Sequence, residues 1–177
     1  MSLCGIDEAG RGPLAGPLVV AGVILKNKII GLNDSKKLTE KKRETLFDII
    51  QHNSDFHIVF IHNDTIDEKG LSYSLQYAIK EIMNNIKADD YIFDGNTTFG
   101  IENLQCKIKA DQSVSEVSAA SILAKVSRDR YMCKIASKYP LYNFEQHKGY
   151  GTKAHINTIK QYGLSPLHRK SFKLKKI

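Results

Sequence analysis

Residues 3–25 set the strongest limit on what this chain can fold into. An apolar start (Leu3, Cys4, Ile6) runs into two adjacent carboxylates, Asp7 and Glu8. A stretch rich in glycine and proline follows, from Gly10 to Pro17, and then an apolar, β-branched run from Leu18 to Leu25. Such a run reads as a buried strand, and a Gly/Pro turn between two strands predicts an antiparallel hairpin. Asp and Glu are disfavoured in strands, so a strand that ends on both needs a reason. Alone, the pair also reads as a solvated turn. A metal is the sharper reading, because carboxylate oxygens are hard ligands suited to Mg²⁺ or Mn²⁺. Glycines let backbone N–H groups approach a ligand closely, and Arg11 offers a planar fork of donors. Together these point to metal-assisted chemistry on a phosphate-bearing substrate. A dinucleotide fingerprint is excluded: after Gly10 and Gly12 the third glycine, Gly16, comes one residue late, and Pro13 removes an N–H.

Downstream, Thr39 caps a predicted helix to about Gln51, and residues 56–62 read as a third strand. Leu71, Leu75, Ala78, Ile79, Ile82, Met83 and Ile86 form one apolar helical stripe. Residues 91–93 predict a fourth strand ending at Asp94, and the alternation over 104–109 a fifth ending just before Asp111. A long helix from Ser115 to about Lys138 carries a polar face (Ser118, Ser121, Lys125, Arg128), with Val117, Ala120, Leu123 and Ala124 for packing. A Gly149-Tyr150-Gly151 loop and a helix near 152–162 complete the order. The expectation is one α/β domain over 1–177, a mixed five-stranded sheet flanked by helices, with a small helical C-terminal extension from about 140.

The charge is uneven. The net charge is +7, yet residues 146–177 hold eight lysines and arginines and no acidic residue. That segment is expected to meet a polyanion, with a solvated tail as the bland alternative. No apolar run is long enough for a membrane span, and no signal peptide is expected. Three widely spaced cysteines fit a reduced, cytoplasmic setting.

Asp7, Glu8, Asp94 and Asp111 thus fall at three strand ends, and open α/β folds place their sites at such an edge. If they converge, two divalent ions can serve the attacking and leaving oxygens of a phosphoryl displacement. Tyr150, bare between its glycines, offers a ring to stack on a base or sugar. His147, beside Lys148, is a phosphate-side candidate.

These residues resemble a known family. The run from Gly5 to Pro17 is similar to the opening signature of bacterial ribonuclease HII. So are Asp34-Ser35-Lys36-Lys37-Leu38, Asp94-Gly95-Asn96, Lys109-Ala110-Asp111, residues 118–125, residues 147–153 and His168-Arg169-Lys170-Ser171-Phe172, in family order. The resemblance implies a ribonuclease H-like fold and cleavage of RNA in RNA–DNA hybrids with Mg²⁺ or Mn²⁺, leaving 3′-hydroxyl and 5′-phosphate ends. It also implies nicking 5′ of a single ribonucleotide in duplex DNA and a role in ribonucleotide removal during replication and repair; the chain is expected to act as a monomer. It assigns the metal site to Asp7, Glu8, Asp94 and Asp111, and 2′-hydroxyl reading to the backbone of Gly10, Arg11 and Gly12. It further implies that Tyr150 packs on the neighbouring deoxyribose and that Lys36 and Lys37 contact phosphate, with Ser121 and Lys125 among the expected substrate-binding residues. The chain departs at Ala154, where Glu is common, and has bulky residues before Asp94. Ribonuclease HIII usually has lysine in place of Arg11. Another two-metal nuclease and a non-catalytic nucleic-acid binder are the competing readings, although a binder gains nothing from four acids facing phosphate.

Overall fold

The computed structural model describes residues 1–32 and 37–173. Five strands form one mixed sheet: β1 (Leu3–Ala9), β2 (Leu18–Leu25), β3 (Ser54–Ile61), β4 (Asp90–Asp94) and β5 (Leu104–Lys107), in the order β3-β2-β1-β4-β5. The predicted hairpin is present, with β1 antiparallel to β2 and Asp7 opposite Ala21. β3 continues antiparallel on β2, whereas β4 lies parallel to β1 and β5 parallel to β4.

Helices cover both faces. On one, α2 (Asn63–Asn85) buries Leu75, Ala78, Ile79 and Ile82 against Cys4, Ile6, Leu18, Val20 and Phe93. On the other, α1 (Glu40–His52) and α3 (Ser115–Ala136) meet Val19, Ala21 and Val23. The apolar run of β2 is therefore buried on both sides, which explains its lack of alternation. Glycines permit this close layering. A Cβ on Gly5 would lie 2.3 Å from the backbone of Glu116 and Val117 at the start of α3, and one on Gly22 would lie 2.2 Å from Ile82.

Two boundaries and one face differ from the sequence reading. α2 begins at Asn63 rather than Leu71, with a break at Gly70 (φ 82°, ψ 167°). Its first turns bury one apolar residue, Ile66, so no stripe marked them. They are instead tied to the C-terminal segment: Asn63 donates to the Pro166 carbonyl, and Asp67 accepts from the Lys170 and Ser171 N–H groups. β5 stops at Lys107, because Lys109 takes a left-handed conformation (φ 58°) and turns the chain into a short 3₁₀ segment, Ala110–Gln112. α3 is also buried on its polar side, where Ser118, Ser121 and Arg128 lie inside the fold. No described helix is long and apolar enough to cross a membrane.

Two short helices, α4 (Phe144–His147) and α5 (Lys153–Tyr162), build the C-terminal part around Phe144, Tyr142, Met132 and Leu167. α4 had no sequence signal. Thr152 caps α5 by accepting from the His155 N–H. Within this part His147 stacks on His155 at 4.1 Å, and His155 Nε2 lies 3.0 Å from His168 Nε2. His168 Nδ1 accepts from the Ser165 N–H, which leaves its Nε2–H to donate to His155. His155 then donates from Nδ1 to the Tyr150 carbonyl at 2.8 Å. Neutral tautomers satisfy every link.

Two predictions follow from this packing. Gly5→Ala forces α3 away from β1 and is expected to cost roughly 1–3 kcal/mol in a denaturant titration; an unchanged midpoint would contradict the close approach. Burial, together with the neighbouring histidines, pulls His155 down to about 4; burial also lowers His147, helped by the Lys148 charge, and His168, helped by the His147 charge. The unfolded chain therefore takes up protons at higher pH than the folded one. Stability is full above about 6.5 and falls as pH drops toward 4. Urea midpoints at pH 7.5 and pH 5.0, the latter above the range where ordinary carboxylates titrate, should show the loss. Equal midpoints in an Asp7→Asn background, which removes the opposing effect of the raised Asp7 carboxyl, would mean that the histidine cluster is not held neutral.

Candidate metal centre and substrate groove

Pairing of β1 with β4 sets Ile6 beside Phe93, so the next residues, Asp7 and Asp94, emerge side by side at the same sheet edge. The left-handed turn at Lys109 swings Asp111 to the same place. One carboxylate oxygen from each of Asp7, Asp94 and Asp111 lies within 4.8 Å of the other two. Asp94 Oδ1 accepts from the Ala110 N–H at 3.3 Å, which fixes it relative to the turn that carries Asp111. Asp7 and Asp111 are 8% and 7% exposed.

Electrostatics mark Asp7 as the strained member. Burial, then the Glu8 charge and more weakly Asp94, push its carboxyl well above the ordinary carboxylate range. The Glu8 N–H, donating to Oδ1 at 2.7 Å, and the Ser121 side chain oppose that rise. Glu8 is not in the close oxygen cluster. Neighbours on a strand point apart, and Glu8 is instead ion-paired with Arg11 at 3.4 Å.

All four acids open on one cavity of about 840 Å³, whose walls include Gly10, Arg11, Gly12, Ser121, Lys125 and Tyr150. The glycine-rich loop is built for close approach. Gly10 has φ 94°, and a Cβ there would meet Arg128 Nε at 2.2 Å, while the corresponding space at Gly12 is open. Tyr150 is 39% exposed, with Lys125 Nζ and the Arg128 guanidinium 5.7 and 5.4 Å from its ring centre. Lys125 also pairs with Asp129 at 2.8 Å. Lys37 is exposed and does not line the cavity. Lys36, with Asn33, Asp34 and Ser35, lies outside the described residues.

His147 does not line the cavity. It accepts from the Gly149 N–H at Nδ1, and its Nε2 lies 2.8 Å from the Tyr142 carbonyl. Two other residues escaped sequence reasoning. Arg128 was counted with a polar face and Arg169 with a basic tail, but they are 0% and 2% exposed. Arg128 donates to the carbonyls of Pro17, Ala15 and Lys148. Arg169 donates to those of Gly16, Arg11 and Gly10. Burial and the nearby Arg128 charge pull Arg169 down to about 9, so it remains a cation at neutral pH. A hint was available in the sequence: both face a loop of glycines and prolines that leaves many carbonyls without strand partners.

Comparisons with known proteins agree with this arrangement. A family model described as ribonuclease HII matches residues 4–175. A ribonuclease HII of Aliarcobacter butzleri is 62% identical over 176 residues, covering 98% of this chain and 92% of that protein. One from Sulfurovum is 57% identical over 173 residues with the same coverage. Among solved structures, the ribonuclease HII of Archaeoglobus fulgidus, determined in complex with PCNA, superposes with a TM-score of 0.87 at 27% identity, covering all of this chain and 98% of that one. The ribonuclease H2 of Pyrococcus horikoshii gives 0.81 at 30% identity, covering 98% and 94%. The sheet and its flanking helices are thus the ribonuclease H-like fold expected from sequence. The chain belongs to the ribonuclease HII family, and is a ribonuclease H hydrolase acting on the RNA of RNA–DNA hybrids.

Proposed function

We propose that the protein also nicks duplex DNA on the 5′ side of a single embedded ribonucleotide, leaving 3′-hydroxyl and 5′-phosphate ends, and so serves ribonucleotide removal during replication and repair. The observation that carries this reading is the shared cavity: a cluster of three aspartates, a glycine-rich backbone and a half-exposed tyrosine line the same walls.

The donor set fits a hard divalent cation. Three carboxylates with oxygens this close repel one another, and oxygen-rich sites of this kind suit Mg²⁺ or Mn²⁺. Asp7, Asp94 and Asp111 would hold the metal, with Glu8 at the margin. A pair of such ions, when bound, supplies charge stabilisation to both the attacking and the departing oxygens of an in-line displacement. The chain's own residues do the selecting. The Gly10-Arg11-Gly12 backbone approaches the ribose and reads its 2′-hydroxyl, which DNA lacks. The Tyr150 ring packs on the deoxyribose that follows, so the RNA-to-DNA junction is sensed by shape. Ser121 supports Asp7 through its hydroxyl, and Lys125 brings positive charge to the phosphate path. Lys36, Lys37 and the basic segment over about 140–177 add backbone contacts, whose strength falls with salt. The chain acts as one catalytic unit over 1–177, monomeric and cytoplasmic.

Two experiments test this. Asp7→Asn should lower cleavage by roughly 10³-fold or more, while hybrid binding and the thermal transition are retained. Turnover near the parent rate would remove Asp7 from the site. Tyr150→Ala should lower cleavage of a one-ribonucleotide duplex roughly tenfold relative to a long hybrid. Equal losses on both substrates would end the junction role, and a cut on the 3′ side of the ribose would end the proposed regiochemistry.

A further inference from the structure

The two elements proposed to read substrate come from opposite ends of the chain, and both depend on glycine, which supplies no rigidity of its own. The 10–16 loop is glycine-rich, and Tyr150 stands between two glycines. Yet the ribose and the deoxyribose beside it are separated by one phosphodiester, a fixed span. Something must hold the two readers in register.

Two adjacent residues reach both. Arg169 donates from Nε to the Gly16 carbonyl at 3.0 Å, from Nη1 to Arg11 at 3.1 Å and from Nη2 to Gly10 at 2.6 Å. Its own N–H donates to the Leu14 carbonyl at 2.8 Å. A carbonyl turned inward in this way leaves its peptide's N–H facing the other side. His168, the preceding residue, runs the opposite way: its Nε2 meets His155 Nε2 at 3.0 Å, and His155 Nδ1 meets the Tyr150 carbonyl at 2.8 Å. All three side chains are buried. A guanidinium with its side-chain bonds on carbonyls pays a desolvation cost that an apolar residue of similar volume would avoid. Its planar fork, however, fixes three carbonyl directions at once, which neither an apolar side chain nor lysine can do.

We infer that His168-Arg169 is a positioning pair: Arg169 orients the Gly10-Arg11-Gly12 backbone, His168 acts through His155 on Tyr150, and together they set the spacing on which recognition of a lone ribonucleotide depends. This rests on the substrate roles proposed above for the loop and for Tyr150. A long hybrid presents a 2′-hydroxyl at every step and tolerates a looser register, whereas a single ribonucleotide offers one.

The test uses the full-length chain with Arg169→Lys, which keeps the charge but loses the fork, and His155→Gln, which breaks the link from His168 to Tyr150 and leaves the Arg169 bonds in place. Amide hydrogen exchange and the ratio of one-ribonucleotide to long-hybrid cleavage are read for both, with Tyr150→Ala alongside. Arg169→Lys should speed exchange in residues 10–17 about tenfold and lower the ratio about tenfold. His155→Gln should speed exchange only in 148–152 and lower the ratio as well. Mn²⁺ affinity, followed by calorimetry, should stay within about twofold of the parent; its loss would mean that the pair serves the metal site and would overturn the assignment. Unchanged exchange in 10–17 in the first variant, or in 148–152 in the second, would also overturn it. So would faster exchange with an unchanged ratio while Tyr150→Ala lowers it. If Tyr150→Ala itself leaves the ratio intact, the junction-sensing reading fails, and exchange alone then decides the mechanical tie.

Discussion

Mutual repulsion among Asp7, Asp94 and Asp111 is the constraint around which the structure is arranged. Three carboxylate oxygens within 4.8 Å of one another do not gather by themselves. The backbone must hold them there. Parallel pairing of β1 and β4 fixes two of them, and the left-handed residue at Lys109 delivers the third. The close seating of α3 on Gly5 then encloses Asp7, which raises its proton affinity and makes the site a strong attractor for positive charge. Hydrophobic layers on both faces of the sheet supply the free energy that offsets this strain.

Positive charge is distributed to match. Arg128 and Arg169 lie behind the glycine-rich loop rather than beside the acids, with their side-chain bonds on carbonyls. Both guanidiniums are taken up by carbonyls, and the loop is backed by buried positive charge. Lys125 and Arg11 line the same cavity as the carboxylates, so cations and acids share its walls.

Much of this was legible in the sequence, and for identifiable reasons. The hairpin showed because β2 is an unbroken apolar run, and the four strand-end acids showed because carboxylates are out of place there. Thr39 announced its helix as a cap, and its side chain does accept from the first turn. What was hidden depends on contacts distant in sequence. The first turns of α2 are held by polar bonds to residues 166–171, so no stripe betrayed them. Ile108 continued the alternation of β5 although the chain had already left the sheet. Arg128, Arg169 and His147 looked like surface groups, since burial of a charged or titratable side chain is decided by which carbonyls reach it, and periodicity carries no record of that.

The division of labour follows from the same physics. A metal cluster needs rigid backbone, and all three aspartates stand on or just beyond strands of the central sheet. Reading a sugar requires backbone close enough to touch it, which demands glycine, and glycine gives up rigidity. The rigidity is returned from outside the loop by long side chains whose donors span several carbonyls, and such side chains are available only from elements that pack behind it. α3 supplies one of them and the C-terminal segment the other. The C-terminal segment is thereby more than a basic appendage: its buried Arg169 is part of the frame behind the glycine-rich loop.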